Sequence, residues 1–149
     1  MDLILWRHAE AENAIPDMKR ALTGKGRKQA SRMAEWLNPR LPEDIRILVS
    51  PAVRTLQTAQ ALGREFEVAD GCAPGASVAH LLEAAGWPDS PRPVLIVGHQ
   101  PVLGMVAAQL LFGQPADLSI RKAAIWWIQG RDRAGSEVAL RAVVNPDWL

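Results

Sequence analysis

Hydrophobic positions along the chain alternate between two patterns. Leu3 to Trp6 is a short unbroken apolar run, as expected of a strand covered on both faces. A long polar loop follows, closed by Leu22-Thr23-Gly24-Lys25-Gly26. Thr23 then predicts an N-cap, and Ala30, Met33, Ala34, Trp36 and Leu37 recur at helical spacing. Asn38-Pro39 ends that helix, because the residue before a proline is pushed out of the α region. Ile45 to Val49 is a second apolar run. Ser50-Pro51 reads as a cap followed by a first-turn proline, opening a helix to about Arg64 with Val53, Leu56, Ala59 and Leu62 facing inward.

Phe66 to Ala69 predicts a short third strand, Gly71 to Gly75 a loop, and Ser77 to Ala85 a helix stopped by Gly86. Val94 to Val97 is the clearest strand. Gly98-His99-Gln100-Pro101 turns into a helix with Val102, Leu103, Val106, Ala107, Leu110 and Leu111 as its apolar set. After Gly113, Ala123–Ile128 and Glu137–Val143 read as a hairpin around residues 130–135. Trp126 and Trp127 would then point to opposite faces, one into the core. The expected fold is α/β: a three-layer sandwich, its mainly parallel central sheet flanked by helices, with antiparallel C-terminal strands.

The 149 residues suggest one domain, residues 1–149, large enough for a core without staples. A net charge of +1 gives no global field favouring nucleic acid or acidic membranes. The single cysteine, Cys72, excludes an internal disulfide. No leader and no run of roughly 20 apolar residues is visible, so a cytoplasmic protein is expected. The sequence is silent on oligomeric state, with a monomer favoured. Arginines outnumber lysines, but base composition alone accounts for such a skew.

The chemistry gathers where strands end. The first run delivers Arg7-His8, the second leads to Arg54 through Ser50-Pro51-Ala52-Val53, and the clearest strand delivers His99. In an open α/β sheet the carboxyl ends of parallel strands share one edge, where ligands bind. Two arginines and two imidazoles converging there suit a tetrahedral oxyanion such as phosphate. His80, the third histidine, lies within a helical stretch and reads as a satisfied hydrogen-bonding residue.

Four blocks, LILWRHAEAE, LTGKGRKQA, ILVSPAVRTLQTA and VLIVGHQPVLG, in this order and spacing, resemble the histidine phosphatase superfamily of phosphoglycerate mutase-like proteins. The short chain and the Arg7-His8-Ala9 start are similar to the short phosphohistidine phosphatase branch; the wider superfamily reads Arg-His-Gly there. The resemblance implies that His8 is a nucleophile forming a covalent phosphohistidine, with Arg7, Arg54 and His99 binding the phosphoryl oxygens. His99 would be protonated or donating in that role. It also implies no cofactor and no metal.

Many superfamily members carry a glutamate-containing motif and a helical insertion after the third strand; here that stretch is only Asp70 to Gly75. Asp70, Glu10, Glu12 and Glu83 are the available acids, and each reads as a solvated carboxylate. This favours a phosphohistidine, on a protein able to enter an open pocket, over a small phosphate ester. The competing readings are a small-molecule phosphomonoesterase and a non-catalytic phosphate-binding module. Nucleic acid and membrane are not expected partners. The stretch TGKGRKQ lacks P-loop spacing and reads as a helix start with a solvated basic face. Lys122 stands just before the penultimate strand and is not counted among the site residues.

Overall fold

A computed structural model describes residues 1–149. Its strands are β1 (Asp2–Arg7), β2 (Arg46–Val49), β3 (Glu67–Val68), β4 (Val94–Gly98), β5 (Ile125–Gly130) and β6 (Val138–Val144), joined in one sheet of order β3-β2-β4-β1-β5-β6. The first four pair in parallel, and β5 and β6 run antiparallel at one side. The helices are α1 (Gly24–Leu37), α2 (Val53–Gln60), α3 (Val78–Ala85) and α4 (Val102–Phe112). The sandwich expected from the sequence is therefore present. No helix is long and apolar enough to cross a membrane.

Strands β1 and β4 sit side by side at the centre, which is why their apolar runs are unbroken. Leu3 to Trp6 and all of β4 are buried. Alternate side chains feed two cores. Ile4, Trp6, Leu95 and Val97 pack with Met33, Ala34 and Leu37 of α1 and Ala59 of α2. Leu3, Leu5, Val94 and Ile96 pack with Leu81 of α3 and Leu103 and Val106 of α4. Trp127 enters the first core, its Nε1–H donating to Asp2 Oδ2 at 2.9 Å, while Trp126 packs partly buried against the second. Thr23 caps α1 as expected, accepting from Gly26 N, and Ser77 caps α3.

The second helix departs from its sequence reading. It ends at Gln60, and its N-cap is Ala52, with no side-chain cap. Its buried residues are Arg54, Thr55, Thr58 and Ala59, while Val53 and Leu56 are only half-buried. The inward threonines satisfy their hydroxyls locally: Thr55 donates to Ser50 O and Ala52 O just before the helix, and Thr58 to Arg54 O at 2.7 Å within it. With their hydroxyls paired to nearby carbonyls the threonines can face inward, so the pattern of apolar residues misjudged this face. His80 is also not a buried hydrogen-bonding residue: its side chain is exposed on α3. The third strand shrinks to two exposed residues.

The topology sets a switch point between β1 and β4. Helix α1 leaves β1 on one face of the sheet and α4 leaves the adjacent β4 on the other. Ligand sites form outside strand carboxyl ends at such a switch point. The β1–α1 connection folds back on itself: Ala11 bridges Leu22, Glu12 N donates to Ala21 O, and Thr23 N to Glu10 O. Gly26 packs directly under this turn. A methyl at Gly26 would collide with the Glu10 carbonyl, and both groups are backbone, so neither yields cheaply. Gly26→Ala is expected to cost about 1–3 kcal/mol, as overpacking does. Urea unfolding measures this; a change within about 0.3 kcal/mol would show the turn to be slack.

Candidate active site

The register of β1 on β4 pairs Arg7 with Gly98, so the next residues of both strands, His8 and His99, emerge together. His8 N donates to Gly98 O at 3.1 Å, tying the two ends. The imidazole centroids lie 5.3 Å apart, tilted by 55°. Both residues are buried, 7% and 3% exposed.

His8 Nδ1 lies 2.7 Å from Ala9 O. A carbonyl only accepts, so Nδ1 carries the proton and Nε2 keeps its lone pair. The backbone is held around it: Ala9 N donates to Thr58 Oγ1 at 3.1 Å, and His8 O accepts from Ala123 N at 3.1 Å. Ala123 is the one non-glycine residue in the left-handed region, at φ 63°. Its carbonyl also accepts from Trp6 Nε1 at 2.9 Å. This strained residue thus braces β1 on both sides of Arg7.

His99 Nε2 meets Ser50 Oγ at 2.7 Å. Ser50 Oγ also accepts from Ala52 N at 3.3 Å, and His99 Nε2 is the one acceptor its hydroxyl meets. With that hydroxyl donating, Nδ1 of His99 carries the ring proton; Nδ1 is buried with no protein partner. Ser50, expected as a helix cap, instead orients this imidazole. Arg54 is buried, its side chain 5% exposed, and Nη1 donates to Asp17 O at 2.9 Å and Nη2 to Asp17 Oδ2 at 3.1 Å. Asp17 belongs to a 3₁₀ turn, Asp17–Lys19, within the β1–α1 connection, and Arg20 holds its other oxygen at 3.2 Å. Arg7 Nη1 donates to Ile120 O at 2.9 Å. The Nε atoms of Arg7 and Arg54 are buried without partners, like His99 Nδ1.

These charges act on the imidazoles. Burial, joined by Arg54, Arg7 and Arg20, lowers His8 to about 4 against the pull of its Ala9 hydrogen bond. Burial, with His8, Arg54 and Arg7, lowers His99 to about 3, although Asp17 works the other way. Both rings are neutral at neutral pH. Slight burial opposes it, but hydrogen bonds from Arg20 and Arg54 hold the Asp17 carboxyl below the usual carboxylate range.

The four residues singled out in the sequence therefore come together. The four candidate acids make no hydrogen bond to any of them. Glu10 accepts from Thr23 Oγ1 at 2.8 Å, Glu12 meets Arg20 Nε through its backbone carbonyl, and Asp70 and Glu83 lie on the 3₁₀ turn after β3 and on α3. The carboxylate at the site is Asp17, which sequence reasoning missed because nothing in a polar loop marks which residue folds back. Nowhere do three His, Cys, Asp or Glu side chains meet as in a metal site.

Known proteins resemble this chain in sequence and fold. The model of the histidine phosphatase superfamily (branch 1) matches residues 3–72. The chain is 33% identical to an uncharacterised protein of Picosynechococcus over 100% of this chain and 99% of that protein. It is 34% identical to the phosphohistidine phosphatase SixA homolog of Haemophilus influenzae, over 84% of this chain and 85% of that one. A solved structure of the protein histidine phosphatase SixA complexed with tungstate superposes with a TM-score of 0.81 at 27% identity, covering 99% of this chain and 98% of that one. With relatives in sequence and in fold agreeing, the chain belongs to the histidine phosphatase superfamily, in its short phosphohistidine phosphatase branch, and is a phosphatase.

Proposed function

We propose that residues 1–149 form one catalytic domain that hydrolyses protein-borne phosphohistidine through a covalent intermediate on His8. The observation that carries this reading is the fixed tautomer of His8: Nδ1–H is committed to Ala9 O, so Nε2 is the free nucleophile. The Nε2 lone pair attacks phosphorus in line. The substrate P–N bond breaks, its electron pair goes to the leaving imidazole, and solvent protonates that ring. Water then attacks phospho-His8, and phosphate leaves as Nε2 regains its lone pair.

Arg7, Arg54 and His99 are the proposed oxyanion partners. Their unpartnered buried atoms, Arg7 Nε, Arg54 Nε and His99 Nδ1, are three donors for three non-bridging oxygens. His99 acts as a neutral donor before substrate arrives, set by Ser50. The charge comes from the arginines, so the proposed reaction uses no metal or cofactor.

The substrate class follows from acid chemistry. An alkyl ester benefits from a general acid at its leaving oxygen. Asp17 is the carboxylate at the site, and its two arginines hold it ionised. The short link from β3 to α3 adds no covering insertion. A phosphoramidate needs no such acid, and an uncovered crevice admits a protein, which supports phosphohistidine over a small ester. The partner is then a phosphohistidine-bearing protein.

Four outcomes are expected. Between pH 8 and 5.5 the ring signals of His8 and His99 in NMR do not titrate; a midpoint near 6.5 for either would contradict the burial argument. The sign for stability follows. Unfolded, each ring takes up a proton near 6.5, and folded only near 4 or 3. Stability is full above about pH 6.5 and falls toward pH 4, at up to about 1.4 kcal/mol per pH unit for each ring. Brief incubation with a phosphohistidine peptide labels the enzyme with an acid-labile, base-stable phosphoryl group, and His8→Ala abolishes it. Full turnover by His8→Ala would end the covalent mechanism. Finally, kcat/KM for phosphohistidine peptides exceeds that for sugar and glycerate phosphates; the reverse order would assign a small-molecule phosphomonoesterase.

A further inference from the structure

Beside the histidine pair, and sharing Arg7 with it, lies a second feature. A cleft of about 590 Å³ runs between α1, the segment before β5 and the C-terminal turn Pro146–Trp148. Six of the chain's seventeen cationic side chains line it: Arg7, Lys25, Lys28, Arg32, Arg121 and Lys122. Only one carboxylate, Asp147, faces them. Apart from Arg7, all five cations are exposed, and none is in an ion pair. In a chain of net charge +1 this is a local concentration, and it is held against its own repulsion. The basic stretch TGKGRKQ supplies Lys25 and Lys28.

We propose that this cleft docks an acidic polypeptide segment flanking the phosphohistidine of the substrate protein. The proposal rests on the phosphohistidine reading above and names what the substrate carries beside its phosphoryl group. Arg7 belongs to both sites, lining the cleft while its charge reaches His8 and His99. One molecule can therefore occupy both at once. Lys25, Lys28 and Arg32 stand at i, i+3 and i+7 along α1, a row of about 10 Å. That is longer than one phosphate and fits successive acidic side chains. No hydrophobic residue lines the cleft, so a nucleobase has nothing to stack on and an acyl chain nothing to bury against. Gln29 and Ser119, also in the lining, offer the amide and hydroxyl partners that a peptide backbone uses.

Two fluorescent peptides test this, identical around one histidine but flanked by Asp/Glu in one and by Ser/Gln in the other. Phosphorylated, the acidic peptide is expected to have at least a tenfold higher kcat/KM, arising in KM and shrinking with added salt. In Lys25→Glu/Lys28→Glu the preference disappears or reverses, while thermal melting is unchanged or higher because repulsion has been relieved. Equal kcat/KM for the two peptides in the native enzyme, or a preference retained in the double variant, overturns docking. Anisotropy of the unphosphorylated peptides reads binding without hydrolysis. If neither phosphopeptide is turned over but the acidic one still binds at least tenfold tighter, the docking surface stands and the substrate reading fails. If inorganic triphosphate displaces the acidic peptide at far lower concentration than the peptide itself binds, the cleft is a small-polyanion site and the proposal is overturned.

Discussion

The site depends on a single strand pairing. Because β1 lies parallel to β4 with Arg7 opposite Gly98, two histidines ninety-one positions apart become neighbours at the end of a buried ladder. Shift that register by one residue and every side chain of β1 changes face. Trp6 would leave its core and His8 would no longer stand beside His99. The apolar run that opens the chain is therefore also what sets the geometry of the imidazoles. Ala123 adds to this from the other side, accepting an unfavourable backbone conformation to hold the end of β1.

Electrostatics and burial act together at this floor. Two arginines beside two neutral rings make a floor that is positive without protonating its own imidazoles. Desolvation is the largest cause lowering both imidazoles, and the guanidinium charges add to it. A more exposed crevice would leave His8 partly protonated at neutral pH and so without its lone pair.

Much of this was legible in the sequence. Strand ends, the Thr23 cap and the four site residues follow from apolar runs and from the rule that parallel strands end on one edge. Elements packed mainly by apolar burial were readable. The misreadings share a cause. Helix α2 turns threonines and an arginine inward, and a hydrophobic pattern carries no signal for a polar face whose hydroxyls are satisfied locally. Ser50 looked like a cap because serine before a helix usually is one; its partner is a histidine forty-nine residues away. Asp17 and the cations around the cleft depend on how a loop and three separate segments fold together, which local sequence does not encode.

The Asp17 carboxylate on Arg54 gives the pocket a resident anion of its own. Both Nη atoms of Arg54 are engaged by Asp17, and Nε alone is left unpartnered. The placement of a buried cation on α2 is thereby tied to a polar turn thirty-seven positions earlier in the chain, so the β1–α1 connection is part of the floor rather than a mere link.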